Sequence, residues 1–103
     1  MIVVMPKYME NKEWFYFDPR EWMDRLTDKA TEKARKSYLE FVCKTYGLAP
    51  NEAAIKIEAD INFYRENKGQ MKFEEINGQR CLFGVGDENI DFYACMDKNL
   101  FGR

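Results

Sequence analysis

The predicted architecture depends on residues 55–63, which read IKIEADINF. Every second residue from Ile55 to Phe63 is apolar, and the four residues between them are polar. Successive side chains of a β-strand point to opposite faces, so this pattern is typical of a strand with one buried face and one face in water. We therefore predict a strand here, the first of a sheet that occupies the second half of the chain.

A helix is the competing prediction for the same residues. Ala54, Ile57, Ile61 and Tyr64 recur at helical spacing, and Pro50 could occupy the first turn, where a proline is tolerated. The helical stripe leaves the first and last apolar residues of the segment outside its buried face, whereas alternation accounts for every position. The pattern favours the strand.

Three further segments of the second half are predicted strands. Met71–Ile76 and Arg80–Val85 are separated by Asn77-Gly78, the dipeptide that best fits a type I′ hairpin turn because both of its residues tolerate positive φ. After a turn at residues 86–89, Ile90–Met96 alternates apolar and polar residues again. Residues 98–103 are expected to be irregular.

The first half is predicted to begin with an aromatic strand and a short helix. Trp14–Phe17 is a run of four aromatic residues, which favours an extended segment. Asp18 before Pro19 is typical of an N-cap followed by a first helical residue, and it predicts a short helix over Pro19–Leu26. Residues 2–4 are either a short edge strand or a disordered start.

The main helix is predicted to begin at Thr27 or Thr31 and to end before Gly47, which suits a left-handed cap. Its apolar stripe consists of Ala34, Tyr38, Phe41 and Val42. Its other side is predicted to be solvated and paired through Glu32 with Lys36 and Glu40 with Lys44, at i, i+4 spacing. These elements predict one α+β domain over residues 1–103, with a short and a long N-terminal helix packed on a four-stranded antiparallel meander.

Charge and cysteine usage bound the function. The net charge of −2 provides no field that would attract a phosphate backbone, which disfavours a basic nucleic-acid binder. Three cysteines are an odd number without paired spacing, and the N-terminus is too short for a signal or membrane segment, so we expect a cytosolic protein.

Catalytic chemistry is poorly represented. The chain contains no histidine, the most common general base and the usual partner of a Ser or Cys nucleophile. Paired carboxylates such as Glu74 and Glu75 occupy positions that a polar strand face explains, and no phosphate, calcium or zinc motif has the required spacing. We expect neither an enzyme nor a bound cofactor or metal.

The predicted partner-binding residues form two sets. From Cys81 to Asp97 there is no Lys or Arg, and the acidic set there is Asp87, Glu88, Asp91 and Asp97. The second set is amphipathic and lies on the sheet face opposite the main apolar residues; it consists of Tyr64, Leu82, Tyr93 and Cys95. An exposed patch of this kind marks a contact site or a homodimer interface, and its acids would suit an Arg- and Lys-rich partner.

A nucleic-acid-binding or transcription-related module is the alternative. It would contact single strands through Lys29, Lys33 and Lys36 of the main helix, with Tyr38 as a nearby ring.

The aromatic run belongs to a longer pattern in the first half of the chain. It comprises KEWFYFD at residues 12–18, then Leu26-Thr27, Ala30, Ala34, Ser37-Tyr38 and Glu40-Phe41. This pattern resembles small uncharacterised phage and prophage proteins of Gram-positive bacteria, although Thr31 stands where similar proteins often have proline. Compact phage accessory proteins frequently bind and block a host factor, including CRISPR effectors. The resemblance therefore implies an anti-defence inhibitor acting in the host cytosol, and it identifies no binding residue.

Overall fold

The chain folds as an α+β domain, in a computed structural model that describes the backbone of residues 5–101 and the side chains of residues 5–96. In chain order the elements are a 3₁₀ helix (Lys7–Glu10), β1 (Phe15–Asp18), β2 (Met23–Leu26), α1 (Glu32–Tyr46), α2 (Pro50–Asn67), β3 (Met71–Ile76), β4 (Gln79–Val85), β5 (Glu88–Asn89) and α3 (Phe92–Phe101). The α+β class is confirmed. Residues 2–4, with their predicted edge strand or disordered start, lie outside the described residues.

The sheet is mixed, so the predicted antiparallel four-stranded meander is wrong. Its strand order is β2-β1-β4-β3, and β5 pairs with β4. The β1–β4 pair is parallel and the other pairs are antiparallel. The reason is that the aromatic segment of the first half, predicted as an extended run, enters the sheet between β2 and β4.

Residues 53–63 are helical, which overturns the predicted strand and supports the alternative. Pro50 is the first helical residue, and the Glu52 carboxylate accepts a hydrogen bond from the Ala49 N–H at 3.0 Å. The buried face follows helical spacing and consists of Ala53, Ile57, Asp60, Ile61 and Tyr64. Ile55 is 68% exposed, so the alternation that predicted a strand does not correspond to one buried face.

Helix α1 confirms the predicted main helix, with Thr31 as its N-cap. The Thr31 Oγ1 accepts a hydrogen bond from the Ala34 N–H at 3.2 Å, and Gly47 closes the helix with φ of 72°. The predicted stripe is buried at Ala34, Tyr38 and Val42. Among the described residues, however, neither of the predicted i, i+4 ion pairs of this helix forms.

The predicted short helix over Pro19–Leu26 is wrong. The Asp18 carbonyl accepts hydrogen bonds from the N–H groups of Glu21 and Trp22, at 3.2 and 2.8 Å, which makes one turn. Trp22 then adopts φ of 56°, a left-handed conformation that ends the turn, and the chain continues as β2 beside β1. The capping signal at Asp18 is thus real, but it starts a hairpin turn.

The β3–β4 hairpin confirms the prediction from Asn77-Gly78, because both residues have positive φ, of 54° and 78°. The predicted last strand, Ile90–Met96, is wrong. The two-residue strand β5 lies just before this segment. Helix α3 then begins after Asp91, whose Oδ1 accepts a hydrogen bond from the Ala94 N–H at 3.1 Å. Helix α3 runs to Phe101, so the prediction of an irregular end fails over residues 98–101, and residues 102–103 lie outside the described part.

Two buried clusters hold these elements together. The larger joins the 3₁₀ helix, β2, α1 and α2, and it centres on Tyr8 and Tyr38, whose rings meet edge to face at 5.0 Å. The smaller consists of Tyr16, Tyr64 and Leu82 and lies between α2 and the sheet. Helix α2 therefore covers the sheet face on which the amphipathic patch was predicted.

Candidate partner-binding site

The predicted acidic residues gather at the end of the molecule formed by β5 and the start of α3. Asp87 lies in the turn after β4, Glu88 opens β5 and Asp91 caps α3, and all three are exposed. Asp97 is a residue of α3, and its side chain lies outside the described part. Asp87, Glu88 and Asp91 are therefore accessible to solvent, and their role in binding a partner stays a prediction.

Tyr93 lies beside these acids on α3 and is 72% exposed. Its ring contacts Phe92 at a centroid distance of 5.8 Å, Phe92 contacts Trp22 at 5.4 Å, and Trp22 contacts Phe17 at 5.1 Å. The exposed ring is therefore backed by a ladder of partly buried rings that reaches into the sheet. We call Asp87, Glu88, Asp91, Tyr93 and this ladder the acidic-aromatic surface.

A buried charged network fixes the turn that carries Trp22. Arg20 donates from Nε and Nη2 to the two carboxylate oxygens of Asp18, at 3.2 and 3.1 Å, and Arg25 donates from Nη1 at 3.0 Å. Asp18 is completely buried. Burial raises the pKa of Asp18, but the hydrogen bonds from the two arginines outweigh it and hold the pKa below its ordinary value.

The same network connects this turn to α2. Arg25 donates from Nε to Asp60 at 3.1 Å, and Lys56 donates to the other oxygen of Asp60 at 2.7 Å. The Arg25 guanidinium also lies over the Phe63 ring, 4.4 Å from its centroid. Removing one member of a buried ion pair leaves the other charge buried without a partner, which is energetically costly. The network therefore holds the β1–β2 turn in one position against α2.

An open cleft of about 420 Å³ borders the acidic-aromatic surface. Glu88, Asp91 and Ala94 line one part of it, and Arg20 lines another. A cleft with carboxylates at its rim can accept a basic side chain of a partner, while Arg20 is already engaged by Asp18. The arrangement suits protein recognition.

The prediction that Tyr64 and Leu82 contact a partner is wrong. Tyr64 is 7% exposed and Leu82 is completely buried, because both pack in the smaller core cluster under α2. They contribute to folding and cannot reach a partner. The prediction failed because it placed residues 53–63 in the sheet, whereas they form the helix that covers this face.

Sequence reasoning missed Trp22, Phe92 and Phe17 as parts of the surface. Trp22 was assigned to a helix, and Phe92 to the apolar face of a strand. No local pattern brings Phe92 to the other two rings, because α3 is about 70 residues from the β1–β2 turn in the chain. The available signal was the aromatic content of 16%, which is high enough to supply rings to an exposed patch as well as to the core.

The lysines of the nucleic-acid alternative are not equivalent. Lys29 donates to Glu13 at 3.0 Å, and this hydrogen bond raises the pKa of Lys29. Lys33 and Lys36 are exposed on α1, and neither forms an ion pair within the described residues. They line an open cleft together with Lys7, but Glu40 lines it too, so the local charge is only weakly positive.

Metal clusters, membrane spans and similar proteins were the remaining sources of functional information. Within them, no three His, Cys, Asp or Glu side chains lie close enough together to hold a metal ion. No helix there combines the length and apolar composition needed to span a bilayer. No protein-family model matches the chain, and neither a curated protein nor a solved structure matches it.

Proposed function

We propose that this chain is a non-enzymatic, phage-type accessory protein that binds and blocks a host protein in the host cytosol through its acidic-aromatic surface. The observation that carries the proposal is Tyr93, which is 72% exposed yet rests against Phe92 and the rings behind it. An exposed tyrosine on a rigid support loses little side-chain entropy on binding, and tyrosine is enriched among binding hot spots.

The acids define the chemistry of the partner. Asp87, Glu88 and Asp91 are exposed within the six residues that precede Tyr93 in the chain, and such an acidic segment complements a cluster of Arg and Lys on another protein. Nucleic-acid channels are basic surfaces of this kind, since they neutralise phosphates. Together with the phage resemblance, this favours a nucleic-acid-guided defence effector, such as a CRISPR effector, as the blocked host protein.

The test uses two variants with the same change in charge. The site variant carries Asp87→Lys and Glu88→Lys and keeps Asp91, which caps α3; the control carries Glu58→Lys and Glu66→Lys on the exposed face of α2. Host proteins captured by the tagged chain are purified, and their affinities for the wild type and both variants are measured. We expect the site variant to lose binding and the control to keep it.

A second readout asks whether binding blocks the host protein. A bacterium with an active CRISPR system is challenged with a targeted plasmid while it expresses the chain. We expect wild type and control to raise plasmid survival and the site variant to leave it unchanged. If every captured protein binds the site variant as well as the wild type, the assignment to this surface is wrong.

Nucleic-acid binding remains the second candidate because Lys33 and Lys36 form no ion pair within the described residues. A gel-shift series with single-stranded DNA and RNA at increasing salt tests it. Binding that weakens steeply with salt and is lost in Lys33→Glu with Lys36→Glu would support this function, and no binding at low salt removes it.

A further inference from the structure

One edge of the sheet is left without a partner strand. In the order β2-β1-β4-β3, no strand within residues 5–101 pairs with the outer side of β3. The opposite edge differs, because α1 lies beside β2 and the Tyr38 hydroxyl donates a hydrogen bond to the Asp24 carbonyl. The outer backbone groups of β3 can therefore pair with another strand.

Strand β3 keeps the regular geometry that such pairing needs. The pairing between β3 and β4 shifts between Lys72 and Phe73, where Lys72 lies opposite Gly84 and Phe73 opposite Leu82. The extra residue is thus Phe83 of β4, and β3 itself contains no bulge. Natural edges avoid association through charged side chains, a bulge or a proline. Strand β3 has neither a bulge nor a proline over its six residues, and whether its charged residues oppose pairing depends on the register.

The charges of β3 are self-complementary in a single register. Two copies related by a two-fold axis normal to the sheet keep their faces aligned, so one residue of each strand lies opposite its own equivalent. If that residue is Phe73, Lys72 lies opposite Glu74 of the second copy, twice by symmetry. If it is Lys72 or Glu74, like charges lie opposite each other, which is destabilising.

Both charged side chains are available for such pairs. Glu74 is exposed and forms no ion pair within the described residues. Lys72 forms only an exposed hydrogen bond to Asn89, at 3.5 Å. Phe73 is held in place by the Tyr16 ring at 5.3 Å and by the Arg80 guanidinium, 4.1 Å from its centroid, so the centre of the edge is rigid.

We propose that two copies of this chain associate through the outer edges of β3, paired antiparallel with Phe73 opposite Phe73 and Lys72 opposite Glu74. The two sheets then form one continuous sheet across the dimer. This interface uses none of the residues of the acidic-aromatic surface, and the variants that test it leave Asp87, Glu88 and Asp91 unchanged, so the dimer and the proposed host binding can fail independently.

Sedimentation equilibrium of the full chain from micromolar to millimolar concentration tests the proposal. We expect the mass to rise from 12.3 kDa toward twice that value. Lys72→Glu or Glu74→Lys alone turns both symmetric Lys72–Glu74 pairs into pairs of like charge and should weaken dimerisation by about tenfold or more. The double variant, Lys72→Glu with Glu74→Lys, re-forms both pairs with the charges exchanged and should return the dissociation constant to within about threefold of the wild type.

Lys44→Glu, an exposed change on α1, serves as the control and should leave the dissociation constant unchanged. Thermal unfolding confirms that each variant is folded. If the chain is monomeric at every concentration, the proposal is wrong. A strand that paired with this edge would then have to come from a different protein. A dimer that ignores both single reversals, or a double variant that is not restored, overturns it as well.

Discussion

The ring centroid of Trp22 lies 5.4 Å from that of Phe92, and Trp22 holds this position with a left-handed backbone conformation, φ of 56°. A bulky residue in this conformation costs about 1–2 kcal/mol. The hydrogen bond from the Trp22 N–H to the Asp18 carbonyl and the contacts of its ring with Phe17 and Phe92 offset this cost. The β1–β2 turn and α3 are thus coupled through one strained residue.

Substitutions at Trp22 should separate the backbone strain from the contacts of the ring. Trp22→Ala removes the ring and keeps the strain, whereas Trp22→Gly removes both. We expect both variants to be less stable than the wild type and Trp22→Gly to be more stable than Trp22→Ala by about 1 kcal/mol. Thermal or urea unfolding measures the difference; equal stabilities would mean that the turn relaxes when the ring is absent.

The helical phase of α2 can be tested with two isoleucines of the same segment. Ile57 is 6% exposed and Ile55 is 68% exposed. We expect Ile57→Ala to lower the free energy of unfolding by about 2–4 kcal/mol, and Ile55→Ala to change it by less than about 0.5 kcal/mol. Urea unfolding of the two variants decides this. Similar large losses at both positions would point instead to a strand that buries both side chains.

The buried network should be far more sensitive than a surface pair. Arg25 bonds to Asp18 and Asp60, and its side chain is 11% exposed. We expect Arg25→Ala to destabilise the protein by about 3–5 kcal/mol, because two buried carboxylates lose a partner. Lys12→Ala breaks an exposed pair with Glu75 and should cost less than about 1 kcal/mol. A small effect at Arg25 would contradict this expectation and show that Arg20 and Lys56, which still bond to Asp18 and Asp60, suffice to compensate the two carboxylates.

Asp24 should make stability fall as the pH rises. Burial raises its pKa above the ordinary value of 3.8, although hydrogen bonds from Tyr8 and Gln79 lower it in part. A raised pKa favours the protonated form in the folded state, so the stabilisation is complete below pH 3.8 and is lost as the pH passes the folded-state pKa.

Asp24→Asn removes this titration. As the pH rises from below 3.8 through the folded-state pKa of Asp24, the free energy of unfolding of the variant should therefore increase relative to that of the wild type, as measured by urea unfolding at each pH. A constant difference between the two proteins across this range would contradict the raised pKa. The lowered pKa of Asp18 acts in the opposite direction in both proteins and cancels in the comparison.

Local signals predicted the elements whose stabilising contacts are close in the chain. Asn77-Gly78 specified the β3–β4 hairpin because the turn conformation depends on those two residues. Gly47 specified the end of α1, and Thr27 and Thr31 limited its start to two positions, because caps bond to backbone groups within one turn. The acidic segment with Asp87, Glu88 and Asp91 was also predicted from local sequence, because no Lys or Arg lies near these residues in the chain.

Alternation failed twice, at residues 55–63 and at Ile90–Met96, because a strand period and a helix period can both be satisfied by a short apolar pattern. The sequence by itself determined a hairpin, a capped main helix and an acidic turn. Only the tertiary structure decided that Asp60 is buried against Arg25 and that Phe17, Trp22 and Phe92 form one ladder behind Tyr93. The Arg25–Asp60 and Trp22–Phe92 contacts join residues that are distant in the chain, and their free energy exists only once the segments have packed.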